Sequence, residues 1–198
     1  MEARCVMACP RLDILPESTL PEVAVAGRSN CGKSTLINAL AEHNGLARTS
    51  GTPGRTRELV FFWLRASGAT PFHLVDLPGY GYAKVSRQQA AAWEHLVGGY
   101  IESRRGLGLV LLLTDIRRPP GTEERDLLSW CTGRGIPTCV VLTKADKLSK
   151  HKRFAQISAV KKGLGLVEAP LTVSAPKRLG IDQLRQRVID VLGVREGE

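Results

Sequence analysis

The sequence has no apolar run long enough to cross a bilayer. The longest, Leu107 to Leu113, is far short of the roughly 20 residues that a spanning helix needs. The opening stretch MEARCVMACPRLDILP has neither the apolar segment nor the small-residue cleavage site of a secretory leader. The expectation is a cytoplasmic protein with no membrane attachment. Cysteine is scarce and does not pair evenly: the five are Cys5, Cys9, Cys31, Cys131 and Cys139. None of their spacings makes a zinc cluster or a redox pair, so they read as buried or incidental thiols in a reducing compartment. Internal repeats and low-complexity stretches are also missing. With 198 residues, the chain can build one sizeable core but hardly two. Residues 1–16 read as a short, poorly ordered lead-in, 17–194 as one domain and 195–198 as a tail.

Apolar residues make up 43% and charged residues 24%, an ordinary balance for a folded chain. The net charge of +9, from 28 Lys plus Arg against 19 Asp plus Glu, favours polyanionic partners such as RNA or anionic lipid. Short β-rich apolar runs alternate with helical segments. Strands are expected at Glu22 to Ala26, Glu58 to Arg65, Phe72 to Asp76, Gly108 to Thr114, Thr138 to Thr143 and Pro170 to Val173. Helices are expected near Lys33 to Glu42, Arg87 to Ser103, Thr122 to Thr132, Lys150 to Lys162 and Ile181 to Leu192. The connection Ala66 to Pro71 is too short for a crossover helix, so its two strands should be antiparallel. The fold class is α/β: a mostly parallel six-stranded sheet with one antiparallel edge strand and helices on both faces, three layers in all. Ligands on such sheets sit at the carboxyl ends of the strands.

Chemistry-bearing residues fall at those ends. Gly27, Arg28, Ser29, Asn30, Cys31, Gly32, Lys33 and Ser34 match G-x-x-x-x-G-K-[ST] between a strand and a helix, with Thr35 next in line. Backbone amides of such a loop approach phosphates, Lys33 reaches the outer ones, and the Ser34 hydroxyl ligates magnesium. Asp76, Leu77, Pro78 and Gly79 form D-x-x-G after an apolar strand. Here Asp76 can hold magnesium through water and Gly79 can offer its amide to the terminal phosphate. Thr143, Lys144, Ala145 and Asp146 follow another strand. The Asp146 carboxylate can accept both guanine N1–H and the exocyclic amine, a pair that adenine does not present. After the last strand, Val173, Ser174 and Ala175 lead into Pro176 and Lys177 and would supply an amide to the guanine carbonyl. Together these segments specify a Ras-like P-loop fold that binds GTP or GDP. Lys33, Thr56 and Gly79 are the expected catalytic groups, and Ser34, Thr56 and Asp76 the magnesium ligands. Thr56 is preferred to Thr52 and Thr49 because it lies just before the strand that pairs with the Asp76 strand. Gly54 and Arg55 belong to the same loop, which is rich in Gly, Thr and basic residues and should be mobile.

With these elements in register, the chain resembles the EngB (YsxC or YihA type) family of bacterial GTPases, from about Leu15 to Leu192. The strings that carry the likeness are AGRSNCGKSTLINAL, TPGRTRELVFF, LVDLPGYGYAKVS and VLTKADKLSK. Cys31 departs from the aliphatic residue usual there. The resemblance implies a role in assembling the large ribosomal subunit, with that subunit or its precursors (rRNA and ribosomal proteins) as partner and a monomeric protein. A membrane- or division-associated GTPase, or an RNA-binding module with negligible turnover, are the competing readings. Tyr80 stands where Ras-like enzymes place the Gln that orients water, so intrinsic hydrolysis should be slow. Related GTPases hold a potassium ion partly through an Asn at the position of Asn30, which makes potassium a candidate cofactor.

Overall fold

Runs such as Val23-Ala24-Val25-Ala26 and Leu109 to Leu113 are apolar at every position, which suits strands covered on both faces. A computed structural model describes residues 1–17, 19–48, 58–66, 69–81 and 87–193. Among these residues there are seven strands: β1 (Glu2–Cys9), β2 (Glu22–Gly27), β3 (Leu59–Arg65), β4 (Phe72–Asp76), β5 (Leu107–Asp115), β6 (Thr138–Thr143) and β7 (Leu171–Thr172). They form one sheet in the order β1-β3-β4-β2-β5-β6-β7. Five helices accompany them: α1 (Lys33–Leu40), α2 (Arg87–Ser103), α3 (Thr122–Gly133), α4 (Lys150–Leu164) and α5 (Ile181–Leu192).

Two layers of side chains sandwich the sheet. On one face Leu96, Val97, Tyr100 and Ile101 of α2, Leu127 and Cys131 of α3, and Val160 of α4 pack on Ala24, Phe61, Val110 and Leu112. On the other, Leu36, Ile37 and Leu40 of α1 and Ile181, Leu184 and Val188 of α5 cover Val23, Val25, Leu109 and Leu111. Burying each such large apolar side chain contributes about 1.5–3 kcal/mol. Gly180 precedes α5 with a φ of 70° in the left-handed region, and a Cβ there would collide with Thr172 O. At its far end Leu192 reaches β5, within 2.9 Å of where a Cβ on Gly108 would stand.

The sheet corrects two expectations. It has seven strands rather than six, because the residues read as a lead-in form β1, paired antiparallel with β3 from Glu2↔Arg65 to Cys9↔Leu59. As expected, β3 alone runs against the others. It is not the edge, however: β4 pairs with it on one side and β1 on the other. β1 is hard to read from sequence because its pairing register shifts between Cys5 and Met7, breaking the two-residue period, and because Ala3, Met7 and Cys9 are weak apolar signals. Its outer end is fixed by side chains: the Arg4 guanidinium lies 4.1 Å over the Trp63 ring, and Arg65 pairs with Glu2 at 2.8 Å.

At the opposite end of the central strands from the expected site, Glu22 is buried at the start of β2. Tyr100 Oη donates to Glu22 Oε2 at 2.9 Å, Arg104 forms an ion pair with the same carboxylate, and His73 Nδ1 stands 3.8 Å away. Burial opposes its ionisation, but these partners prevail and hold the carboxyl below its usual range. Among the described residues no helix is long and apolar enough to cross a membrane.

Candidate functional site

β2, β4, β5, β6 and β7 run parallel, so the loops that leave their carboxyl ends share one edge of the sheet. After β2 the chain turns tightly into α1. Asn30 adopts φ 63° and Gly32 φ 105°, both left-handed. Gly27 is pressed so closely that a Cβ would fall 2.7 Å from Leu113 O and from Cys31 Sγ. No side chain caps the start of α1, and the first intrahelical bond is Leu36 N to Gly32 O at 3.0 Å. The amides of its first turn are therefore presented to the loop, together with the positive end of the helix dipole.

Four expected residues converge there. Asp76 ends β4, is buried, and its Oδ1 makes no hydrogen bond; Lys33 Nζ is 4.0 Å away. Burial pushes the Asp76 carboxyl up to about 6, against the pull of Lys33. Gly79 lies so near that a Cβ would sit 2.8 Å from Ser29 Oγ and 3.1 Å from Lys33 Nζ. Ser29 Oγ is itself buried without a partner, and the Ser29 amide donates to Tyr80 O at 2.9 Å. Two orphaned oxygens and one ammonium facing a glycine make a pocket whose polar groups lack a counterpart. Magnesium and an anionic phosphate are chemically suited to supply one.

A second group braces the phosphate-type loop. Thr143 Oγ1 donates to Cys31 O at 2.6 Å, and Lys144 Nζ donates to Asn30 O at 2.6 Å. Lys144 also pairs with Asp115 Oδ2 at 3.1 Å. Burial works against ionisation of Asp115, but Arg117 and Lys144 outweigh it and hold the carboxyl well below the usual carboxylate range. Burial drives the Cys31 thiol up to about 11, so it is an inert packing group. Asp115 and Arg117 were not among the expected site residues. A signal exists, an Asp at the carboxyl end of a parallel strand, but no motif marks it.

Asp146 belongs to a third group. Ser174 Oγ donates to Asp146 Oδ1 at 2.6 Å, and this bond holds the carboxyl below its usual range. The Ala145 amide donates to Val173 O at 3.0 Å, tying the two loops together. Ser174 and Leu179 exchange amide bonds of 2.9 and 3.0 Å, closing a small turn around Ala175 to Arg178. Thr35 and Ala175 border a cleft of about 550 Å³ together with Asn38, Glu42, Pro176 and Arg178. Its walls do not include Lys33, Asp76 or Asp146.

Some expected side chains are engaged elsewhere. Arg28 points to α3, pairing with Glu123 at 3.1 Å and lying 3.7 Å from Glu124. The Leu77 amide is bound to Val25 O, and Pro78 O accepts from Trp93 Nε1 at 2.7 Å. Tyr80 is buried edge-on against Trp93, ring centroids 5.6 Å apart. Burial, with Glu124 nearby, pushes its phenol far above the ordinary range. Gly54, Arg55 and Thr56, with Thr49 and Thr52, lie outside the described residues.

A family model described as 50S ribosome-binding GTPase matches residues 22–144, from the start of β2 to the loop after β6. A probable GTP-binding protein EngB from Syntrophomonas wolfei is 42% identical over 178 residues, 90% of either chain. Another, from Desulforapulum autotrophicum, is 48% identical over 172 residues, covering 86% of this chain and 87% of that one. The chain belongs to the EngB family of GTP-binding proteins. The crystal structure of a probable GTP-binding protein engB shares its fold, with a TM-score of 0.70 and 21% identity over 87% of this chain and 98% of that one. As a member of this P-loop family, the chain binds guanine nucleotide and is a GTPase. Its seven-stranded sheet presents the Lys33, Lys144 and Asp146 groups along one edge.

Proposed function

We propose that this GTPase is a conformational switch in assembly of the large ribosomal subunit, engaging the subunit or its precursors in one nucleotide state and leaving in the other. The observation that carries the reading is the match of residues 22–144 to the 50S ribosome-binding GTPase model; the net charge of +9 agrees with an RNA-rich partner.

The residues assigned to the nucleotide fit a magnesium–GTP complex. Lys33, Ser29 and Gly79 stand around the phosphate position, and the orphaned Oδ1 of Asp76 suits an ion held directly or through water. Ser34, Asp76 and Thr56 would hold the magnesium ion, which when bound neutralises charge on the outer phosphates. Lys33 adds a second positive charge, and the amide of Gly79 offers a donor to the terminal phosphate. Asp146 reads the guanine edge, set in place by Ser174 Oγ. Since the Ser174 amide is taken by Leu179, the Ala175 amide is the donor assigned to the guanine carbonyl. Tyr80, buried against Trp93, cannot orient water as an amide side chain does, so unassisted turnover is slow, on the order of 10⁻³ per second or below. Asn30 is exposed at the loop tip and is the assigned side-chain ligand for potassium. Faster hydrolysis in potassium than in sodium, lost in Asn30→Ala, supports that assignment; equal rates remove it.

Cosedimentation with large-subunit precursors in GTP, GDP and a non-hydrolysable analogue tests the switch. Pelleting that is stronger with GTP or the analogue than with GDP is expected. Equal pelleting in all three, or none, overturns it.

A further inference from the structure

Helix α4 carries Lys150, His151, Lys152, Arg153, Lys161 and Lys162 and not one acidic residue. Arg153 is half-buried and donates to Leu148 O at 2.9 Å. The four lysines are exposed and have no carboxylate partner among the described residues. Elsewhere Arg65, Arg104, Arg117, Arg134 and Arg187 each meet a carboxylate. Lys150 and Lys152 also sit in the first turn, where the helix dipole disfavours cations and where no acid offsets them. Charge placed against the helix's own preference has its use outside the molecule.

The arrangement of side chains says what that use is. At 3.6 residues per turn, Lys150, Phe154, Ser158 and Lys161 share one stripe, with Lys162 and His151 on its flank. Phe154 is 70% exposed, an aromatic ring held out to solvent between two cationic ends. Those ends are about 17 Å apart along the axis; between them on this side stands Ser158, with the partly buried Ile157 on the edge that turns to the core. Cations at both ends of the stripe and an exposed ring between them free to stack match a single-stranded nucleic acid, whose backbone crosses that span in a few nucleotides. A bilayer would need a broad apolar face, and α4 offers one ring.

We infer that this face of α4 docks single-stranded RNA, with Lys150, Lys161 and Lys162 on phosphates and Phe154 stacked on a base. The inference rests on the proposed ribosomal role only for the source of the RNA.

Fluorescence anisotropy with a short labelled oligouridylate tests it on the full chain. Lys150→Gln/Lys161→Gln/Lys162→Gln is compared with a charge-matched control, Arg105→Gln/Arg118→Gln/Arg125→Gln. The α4 variant is expected to lose affinity on the order of tenfold or more, with the slope of log affinity against log salt shallower by about 2, near 0.7 per phosphate released. Phe154→Ala should weaken binding about 5- to 100-fold with the slope unchanged. Circular dichroism and basal GTP hydrolysis should match the parent in all three. Unchanged affinity in the α4 variant, or an equal loss in the control, overturns the inference. So does stronger capture of the parent by phosphatidylglycerol vesicles than by RNA. If oligouridylate binding is indifferent to α4 while the parent still pellets with precursors in a GTP-dependent way, this inference fails and the switch stands. If that pelleting is lost while α4-dependent RNA binding persists, the switch fails and the α4 contact stands.

Discussion

Single side chains carry two separable burdens, reading the ligand and holding the frame. Asp146 illustrates the first. Its carboxylate is kept ionised by Ser174 and is assigned to a guanine edge that offers two donors. Asp146→Asn keeps the shape and the bond to Ser174 but converts one acceptor to a donor. GTP affinity is expected to fall and relative affinity for xanthosine triphosphate to rise, as read by competition with a labelled nucleotide. An unchanged preference for GTP would refute the assignment. Glu22 illustrates the second. Its carboxylate is buried against Arg104 and Tyr100, far from the nucleotide loops. Glu22→Gln leaves a half-buried guanidinium without its counter-charge and should cost about 3 kcal/mol in urea unfolding at neutral pH. The pH dependence has a definite sign. Because the folded-state pKa is depressed, Glu22 stabilises the fold above the usual glutamate range, and that stabilisation fades as pH falls through the folded value. The gap between parent and variant should therefore narrow in acid, and a gap independent of pH would exclude the ion pair as its cause.

Among elements, legibility followed the strength of the local signal. Helices α1 to α5 and strands β2 to β7 could be placed from apolar runs and Gly or Pro punctuation, and β4 and β6 fell on the expected residues. The tight turn from β2 into α1 was legible because the spacing of Gly27, Gly32, Lys33 and Ser34 prescribes a glycine-dependent loop entering a helix. Two things were not. β1 lies outside any motif and has only Ala, Met and Cys to show on its inner side, so its pairing with β3 is a tertiary fact. The bracing of Asn30 and Cys31 by Lys144 and Thr143 joins residues more than a hundred positions apart, which no local pattern can announce. β1 also has a testable consequence. Deleting residues 2–9 uncovers the whole edge of β3 and leaves Leu59 and Phe61 without Cys9 and Met7 beside them. The truncated chain is expected to melt lower and to self-associate through the bare edge, measured by light scattering on heating. A monomeric chain with an unchanged melting temperature would show that β1 is dispensable.

At the scale of the whole molecule, nucleotide and fold are linked by mass action. A ligand present at one hundred times its dissociation constant stabilises the state it binds by about 2.7 kcal/mol. For a chain of this size that raises the melting temperature by about 5–10 °C. GDP and GTP should both produce such a shift, and Lys33→Ala or Ser34→Ala should abolish it while circular dichroism stays as in the parent. A shift retained in both variants would mean that the loop between β2 and α1 does not hold the phosphates. The position of α5 has a consequence of another kind. It shares with α1 the task of covering Val23, Val25, Leu109 and Leu111, yet it leaves the translating ribosome two helix–strand units after β5. At 5–20 residues per second the interval is on the order of 4–15 s, during which one side of the nascent sheet lies half-clothed. Messages truncated before Ile181 should yield products that bind holdase chaperones and are degraded, whereas the finished chain closes over itself once Leu192 reaches Gly108.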